Sequence, residues 1–593
     1  SLVFSLSALR AGFAAGFRAE DVAREALARA DAFADPAVWI SRFPAEEVIA
    51  RAKALDALPP AQKALMPLFG VPFAVKDNID LAGLPTTAAC PAYAYRPERS
   101  AHVVERLIAA GAVPLGKTNL DQFATGLVGT RSPHGAPRSV FNADYISGGS
   151  SSGSAVAVAG GIVSFSLGTD TAGSGRVPAA FNNIVGLKPS RGLFSASGVV
   201  PACRSLDCVS VFALTVADAA EIFDVAAVFD AADIYARTRM PETAVRPGAG
   251  FTFAVPRASD LKFFGDDEAA RLFEEAVFRF EELGGRTRRT DFSLFEEAAA
   301  LLYDGPYVAE RYAAVGPFIE ANRTAADPTV SGIVLAAKER SAVEVFEAGY
   351  RLEALKRRAT ALFADIEFLM VPTAPTTYRV SDVMADPVKL NSRLGTYTNF
   401  MNLLDLCGIA VPAGFRERMA AAGVLSYRLL YFERWESGLF KRPETYPELA
   451  VATPTSHDAA PLAGFLHGTD IALRHGAGAH TPGSSAEGDR EARSRDLHML
   501  ADALRDQGLP TPDGDSTAFI AACHAYLARS PAMVLMLNAD DLAAETLPVN
   551  LPGTVDEYPN WRRRLHIDVA ALFASPAFLA SLDALRSSAR AAR

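Results

Sequence analysis

Between Gly148 and Arg191 the chain carries two serine clusters in glycine-rich surroundings, Ser150-Ser151-Ser152 and Ser174. An isolated lysine stands upstream, in Gly70-Val-Pro-Phe-Ala-Val-Lys76-Asp-Asn. Glycine lets backbone come close to a ligand and aim several N–H groups at one oxygen. A serine in such a place becomes a nucleophile only with a base beside it. Histidine is scarce: the first 400 residues hold only His102 and His134. Lysine is the remaining candidate. It serves as a base only if burial and neighbours bring its pKa from about 10.4 towards neutrality, and the apolar run Val71-Pro-Phe-Ala-Val75 suits that.

A glycine-serine run alone also reads as a flexible loop or a phosphate cradle. Here it is followed by buried-strand text, Gly161-Ile-Val-Ser-Phe-Ser-Leu, and closes on Gly168-Thr-Asp-Thr-Ala-Gly-Ser-Gly-Arg176. It is therefore not a linker. Nor is the run a Walker loop, since no Gly-Lys-Ser/Thr follows it at the required spacing.

The elements that must hold these groups are mixed. Ala19–Ala32 and Glu46–Leu58 carry apolar residues three and four apart, the helical period. From Phe69 onward strand-like runs alternate with helices, as in Val103–Ala110 followed by Ala112-Val-Pro-Leu. The pattern predicts an α/β fold with a mixed sheet between helical layers. A mainly helical insertion is expected over about 266–363, with Glu274–Leu283 and Arg351–Phe363 its clearest helices. The opening Ser1–Phe13 reads as an amphipathic helix and not a secretory signal. A start on serine is what an incomplete or processed chain would show.

At 593 residues the chain exceeds one ordinary domain. Half of it is apolar and the net charge is −10, so it lacks the basic footprint of a nucleic-acid binder. The longest apolar stretch, Ala155–Leu167, is broken by glycine and serine and is too short for a bilayer. Cys90, Cys203, Cys208, Cys407 and Cys523 do not have zinc-site spacing and read as reduced, mostly buried thiols of a cytosolic protein. No metal and no cofactor is implied; a homodimer stays open.

In motif and spacing these residues resemble the amidase signature family, serine hydrolases with a Ser–cis-Ser–Lys triad. Lys76 precedes Ser150 by 74 residues, and Ser150 precedes Ser174 by 24, both as in the family. The resemblance implies Ser174 as nucleophile, Ser150 as the bridging serine with a cis peptide, and Lys76 as general base. It also implies an oxyanion hole from the N–H groups of Thr171, Ala172, Gly173 and Ser174, and a return of Phe368–Pro375 to the sheet. Long stretches, Leu81–Cys90, Lys117–Pro133 and Gly198–Val216, resemble the allophanate-hydrolysing branch. There Tyr303 and Arg311, in Tyr303-Asp-Gly-Pro-Tyr-Val-Ala-Glu-Arg311, would grip the substrate with Gly126. Arginine's planar fork suits a carboxylate. Hydrolysis of allophanate to ammonia and carbon dioxide is the implied activity; a broader amidase or the glutaminase-like component of a tRNA amidotransferase is the alternative within the class.

The likeness covers residues 1–414 and stops where an amidase should continue with a glycine-bearing strand. Residues 415–593 resemble the C-terminal third of the 4-alpha-glucanotransferase (amylomaltase) family, through Arg416–Arg434, Tyr446–Asp458, Gly468–Arg474 and Val549–Arg564. His475–Arg495, rich in glycine, serine and charge, is expected to be a loop. The resemblance implies a partial (β/α) barrel in which His457 and Asp458 match the pair supplying the third carboxylate. Retaining glycoside chemistry needs a nucleophilic and an acid/base carboxylate about 5–5.5 Å apart; both belong to strands before the region present. At the acid/base place stands Leu403-Leu-Asp405-Leu-Cys-Gly. The joint, Val411-Pro-Ala-Gly-Phe-Arg-Glu417, reads as either parent. A gene fusion, an assembly artefact and an inactive chimera all stay open.

Overall fold

Every residue of Pro72–Lys76 is buried, and the run forms a central strand of a mixed sheet. The structure, a computed structural model, describes residues 3–239, 251–412 and 426–587, except 436–437, 447–449, 457–458, 481–483, 512–513, 552–553, 555–557 and 561. Its contacts divide the chain into two units, Ser1–Ala413 and Gly414–Arg593.

In the first unit the strands are β1 (Trp39–Arg42), β2 (Pro72–Lys76), β3 (Val113–Thr118), β4 (Phe165–Asp170), β5 (Val185–Lys188), β6 (Cys208–Ala213), β7 (Phe251–Pro256), β8 (Gly285–Thr290), β9 (Phe368–Leu369) and β10 (Gly408–Ala410). Seven make one sheet in the order β1-β3-β2-β4-β6-β5-β10. β2 runs parallel to β3 and β4; the remaining neighbours are antiparallel. β2, β3, β4 and β6 are buried throughout, as strands covered on both faces must be. Helices Ala19–Ala32, Ala45–Asp56, His102–Ala109 and Ser152–Ala159 supply the cover and share one apolar core with Phe73, Val75, Phe165 and Leu167. The α/β layering expected from the periodicity is what forms.

The helix Ser152–Ala159 forms where the sequence reads as a glycine-serine run. Its small side chains let it lie directly on the sheet: a Cβ at Gly153 would sit 2.3 Å from the Val38 carbonyl. Ser154 ties it down, donating to the Leu167 carbonyl at 2.9 Å and sharing a 2.7 Å bond with Thr118.

In the insertion, helices Asp267–Glu282 and Ala342–Phe363 begin earlier than Glu274 and Arg351. Ser341 and Glu344 form a reciprocal cap at the second start. Two expectations need correction. The insertion contains β8, Gly-Arg-Thr-Arg-Arg-Thr, which carries no apolar alternation to announce it. And Phe368 returns not to the seven-stranded sheet but, as β9, to a separate parallel sheet ordered β8-β7-β9. Stacking of Phe253 on Phe368, with ring centroids 5.3 Å apart, accounts for that choice.

Among its described residues the second unit has three parallel strands, β11 (Ser426–Leu429), β12 (Ala450–Thr453) and β13 (Val534–Leu535), in that order. Helices including Leu462–His467, Ala486–Asp506 and Ser516–Ala528 join β12 to β13 and pack around Leu430, Leu462, Leu500, Ile520 and Leu527. The expected loop His475–Arg495 is in part helical: Ser485 caps the Ala486–Asp506 helix, with Glu487 and Asp489 in its first turn. Met533, Val534 and Met536, in and beside β13, are exposed. Among the described residues no closed barrel is present.

Candidate active site

The carboxyl ends of adjacent parallel strands are where open α/β sheets place ligands. β2 ends at Lys76 and β4 ends at Thr169 and Asp170, one strand apart. Lys76 is fully buried. Its Nζ lies 2.8 Å from Ser150 Oγ and 2.7 Å from Thr169 Oγ1, and it forms no ion pair among the described residues. Burial pulls its pKa from the usual lysine range down to about 7, against the pull of Asp121, Asp170 and Asp207 and with a smaller push from Arg311. A large share of Lys76 is therefore neutral near physiological pH, with a lone pair available.

The Gly149–Ser150 peptide is cis. Asp121 organises the chain around it: its N–H donates to the Ser150 carbonyl at 3.0 Å, and its carboxylate accepts from the N–H groups of Gly129 and Arg131 at 2.9 and 3.0 Å. Gly149 passes so close that a Cβ there would lie 2.1 Å from Asp121 Oδ2. No larger residue fits.

Ser174 stands in the turn after β4 and is 4% exposed. Its Oγ donates to the Gly126 carbonyl at 3.4 Å, and no hydrogen bond joins it to Ser150 among the described residues. The expected relay is thus half assembled, Lys76 to Ser150. The turn itself is set by Asp170, which accepts from Gly173 and Gly175 N–H at 3.0 and 3.1 Å and holds Arg176 through two bonds of 2.8 and 2.9 Å. Burial would raise that carboxyl, but Arg176 keeps it below its ordinary value. The Gly173 N–H, expected in the oxyanion hole, is therefore committed to Asp170. Those of Thr171, Ala172 and Ser174 have no protein acceptor among the described residues. Asp207 fixes the first of these, accepting from Thr171 Oγ1 at 2.5 Å while binding the N–H groups of Ala202 and Cys203.

Tyr303 closes one helix and Arg311 lies in the first turn of the next, Ala309–Ala321. The turn between them brings Arg311 Nη2 within 3.0 Å of Tyr303 Oη. Nη1 donates to Thr125 Oγ1 at 2.8 Å and more weakly to the Ala124 carbonyl at 3.4 Å. Residues 124–126 thus carry Arg311 at one end and the Gly126 carbonyl facing Ser174 at the other. Arg311 is 2% exposed, has no carboxylate partner among the described residues, and its Nε is unbonded. A positive charge is poorly placed at a helix N-terminus, and a buried one without a counter-charge is costly. Cys203 is no rival nucleophile, because burial pushes its thiol up to about 12.

The structure brings Lys76, Ser150, Ser174, Gly126, Thr171, Ala172, Gly173, Tyr303 and Arg311 to one region of the first unit through the bonds above. His457 and Asp458 lie outside the described residues. Thr169, Asn78, Asp121, Asp170, Arg176, Asp207 and Thr125 join the site without a mark in the sequence that points to a role. Asn78 follows Lys76 by two positions and donates to the same Thr169 hydroxyl at 3.3 Å; that proximity in sequence was the one available signal.

A family model described as Amidase matches residues 21–426, and one described as 4-alpha-glucanotransferase matches residues 405–569. The two ranges overlap over the joint. The urea amidolyase of Saccharomyces cerevisiae is 47% identical over 382 residues, 64% of this chain and 21% of that protein. A glutamyl-tRNA(Gln) amidotransferase component from Symbiobacterium thermophilum is 36% identical, covering 70% of this chain and 91% of that one. The solved allophanate hydrolase of Kluyveromyces lactis superposes with a TM-score of 0.65 at 45% identity, over 70% of this chain and 68% of that chain. This chain therefore spans about a fifth of the length of the urea amidolyase it matches.

Proposed function

This chain belongs to the amidase family, and from that premise we propose that residues 1–414 hydrolyse allophanate, with Ser174 as nucleophile. Neutral Lys76 accepts the Ser150 proton as Ser150 takes the proton of Ser174. Ser174 Oγ then attacks the amide carbonyl of the urea end. The developing oxyanion is received by the N–H groups of Thr171, Ala172 and Ser174; losing one such donor costs about 10²–10³ in rate. The proton returns through Ser150 to the leaving nitrogen, ammonia departs, and an acyl group stays on Ser174. Water attacks that ester with its proton passing along the same relay. The product, a nitrogen carrying two carboxylates, breaks down to carbon dioxide and a second ammonia.

One observation carries the choice of substrate: the buried Arg311 guanidinium has no carboxylate of its own. An anionic substrate would supply the missing charge and accept from the free Nε. Tyr303 Oη accepts from Arg311, which leaves its proton for the substrate. A neutral amide would leave the arginine uncompensated, which disfavours the broader amidase and glutaminase-like readings. The identity to urea amidolyases and to a solved allophanate hydrolase supports the same choice.

The proposal for residues 415–593 is a remnant of a glucanotransferase barrel without sugar chemistry. The three parallel strands among the described residues are too few to close a barrel. Asp458 alone would not replace a nucleophile and a proton donor. None of the described helices is long and apolar enough to cross a membrane. The buried free thiols Cys90, Cys203, Cys208 and Cys523 suit a reducing cytoplasm.

The test is ammonia release by the purified chain from allophanate and from simple neutral amides. Preference for allophanate supports the proposal. Turnover of neutral amides with allophanate untouched overturns the substrate; no turnover of either leaves the inactive-chimera reading standing.

A further inference from the structure

Thr171 and Arg311 serve different parts of the substrate, and one short loop binds Thr171 and the residue beside Arg311. The loop Ala202–Asp207 closes on its own last residue. The Asp207 carboxylate accepts from the Ala202 and Cys203 N–H groups at 2.8 and 3.1 Å, and the Asp207 N–H donates to the Cys203 carbonyl at 2.9 Å. So closed, the loop moves as one piece. On one side Asp207 accepts from Thr171 Oγ1 at 2.5 Å, beside an N–H of the oxyanion hole. On the other, Ser205 gives its N–H, at 2.8 Å, and its hydroxyl to the carboxylate of Glu310. Asn402 donates to the Leu206 and Asp170 carbonyls at 2.9 and 2.8 Å, which ties the loop to the turn bearing Ser174 as well.

A glutamate in the first turn of a helix is ordinary, since it complements the helix dipole. Glu310 differs in two respects. Both its oxygens are taken by one residue of a closed loop, a two-point contact that fixes direction as well as distance. And the next residue is the buried Arg311, whose charge has no carboxylate partner among the described residues.

Resting on the allophanate reading above, we propose that Glu310, Ser205 and Asp207 are positioning residues, a strut that couples the grip on the substrate carboxylate to the oxyanion hole. A carboxylate bound to Arg311 constrains the start of the helix Ala309–Ala321. Glu310 and Ser205 pass that constraint to the loop, and Asp207 passes it to Thr171. Binding energy from the end of the substrate that does not react is thereby used at the carbonyl that does, and appears in kcat rather than in KM. A neutral amide that leaves Arg311 unoccupied does not engage the strut.

A double-mutant cycle on kcat/KM for allophanate tests this. With Glu310 in place, R311K and T171V together should cost about 5-fold or more less than the product of their separate costs, because each loosens the same hole. In an E310A background the two losses should multiply. S205A removes the hydroxyl half of the same link and should move the cycle the same way by a smaller amount, so the test does not depend on E310A alone. E310A by itself should lower kcat about 5- to 10-fold with KM changed by less than about twofold. T171S, which keeps the hydroxyl, should restore what T171V loses. Losses that multiply with Glu310 present, or that stay coupled in E310A, overturn the strut and leave the substrate reading intact. A parent chain that does not turn over allophanate overturns that reading, and the strut with it.

Discussion

Both units present the carboxyl ends of parallel strands, and they treat buried cations differently. In the second unit, Arg428 of β11 pairs with Glu433 at 3.1 Å, and Glu433 also holds Lys441 at 3.2 Å. Asp470 holds Arg493, and Glu545 holds Arg563 and His566. Each of these charges has its counter-charge. In the first unit Lys117, wholly buried in β3, likewise pairs with Asp77 at 3.1 Å. Lys76, one strand away, is equally buried and meets only two hydroxyls, and Arg311 meets a hydroxyl pair and a carbonyl. A buried cation beside a carboxylate is a structural device; one without it destabilises the fold unless it turns neutral or a ligand completes it. Lys188 and Arg131 are also buried without an ion pair among the described residues, but they donate to backbone carbonyls. It is the missing counter-charge together with the bonds to Ser150 and to Tyr303 that assigns chemistry to Lys76 and Arg311.

The strongest way to break that contrast is to remove the reacting groups. S174A and K76A should each lower amide turnover by about 10⁴–10⁶, with the double variant scarcely worse than either, because the groups act as one unit. Single-turnover rates of the three variants decide this. Losses that multiply would mean Lys76 and Ser174 act independently, and a Lys76 as dispensable as a structural lysine would erase the contrast.

Next in size is pH. Lys76 must be neutral to accept a proton, and burial places its pKa at about 7. So kcat/KM should rise as pH increases through about 7 and level off above it, by up to tenfold per pH unit on the rising limb. T169V removes an acceptor that favours the ammonium, so the limb should move to lower pH; T169S should leave it in place. A profile flat from pH 5 to 9 would remove Lys76 as the base.

The smallest effect concerns the second unit. Its exposed edge at Met533, Val534 and Met536 is the kind of unpaired strand that opens readily. Limited proteolysis should cleave beyond about residue 415 first and leave a fragment containing Lys76, Ser150 and Ser174. The intact chain should not disproportionate maltotriose. Disproportionation lost in D458N would show that a further carboxylate completes a sugar site.

What could be read from the chain alone follows from range. Lys76, Ser150 and Ser174 sit in local text, apolar before the lysine and glycine-rich around the serines, so residue type and spacing identify them. The sheet's central strands were legible because each carries an apolar run, such as Pro72–Val75 in β2 and Val113–Leu115 in β3. Thr169, Asp121, Asp170 and Asp207 act only after folding has carried their loops together, and a threonine or aspartate in isolation carries no such mark. Nor does the Gly173 N–H reveal that a carboxylate three residues earlier in the chain will take it. β8 was illegible because Gly-Arg-Thr-Arg-Arg-Thr is held by its parallel pairing with β7 and has no apolar alternation of its own. The Ala486–Asp506 helix was hidden by the charged, glycine-bearing text at its start, although the Ser485 cap marks it.

The most direct test of the account is the effect of R311K on kcat/KM for allophanate and for a neutral amide, measured side by side at one pH. Lysine keeps the charge and loses the planar fork and the free Nε. The account predicts a fall of about 10- to 100-fold for allophanate, the range of a charge-assisted hydrogen bond, with the neutral amide changed by less than about threefold. An equal fall on both substrates would make Arg311 one more structural cation, and the claim that unpaired buried charge marks the substrate site would fail with it.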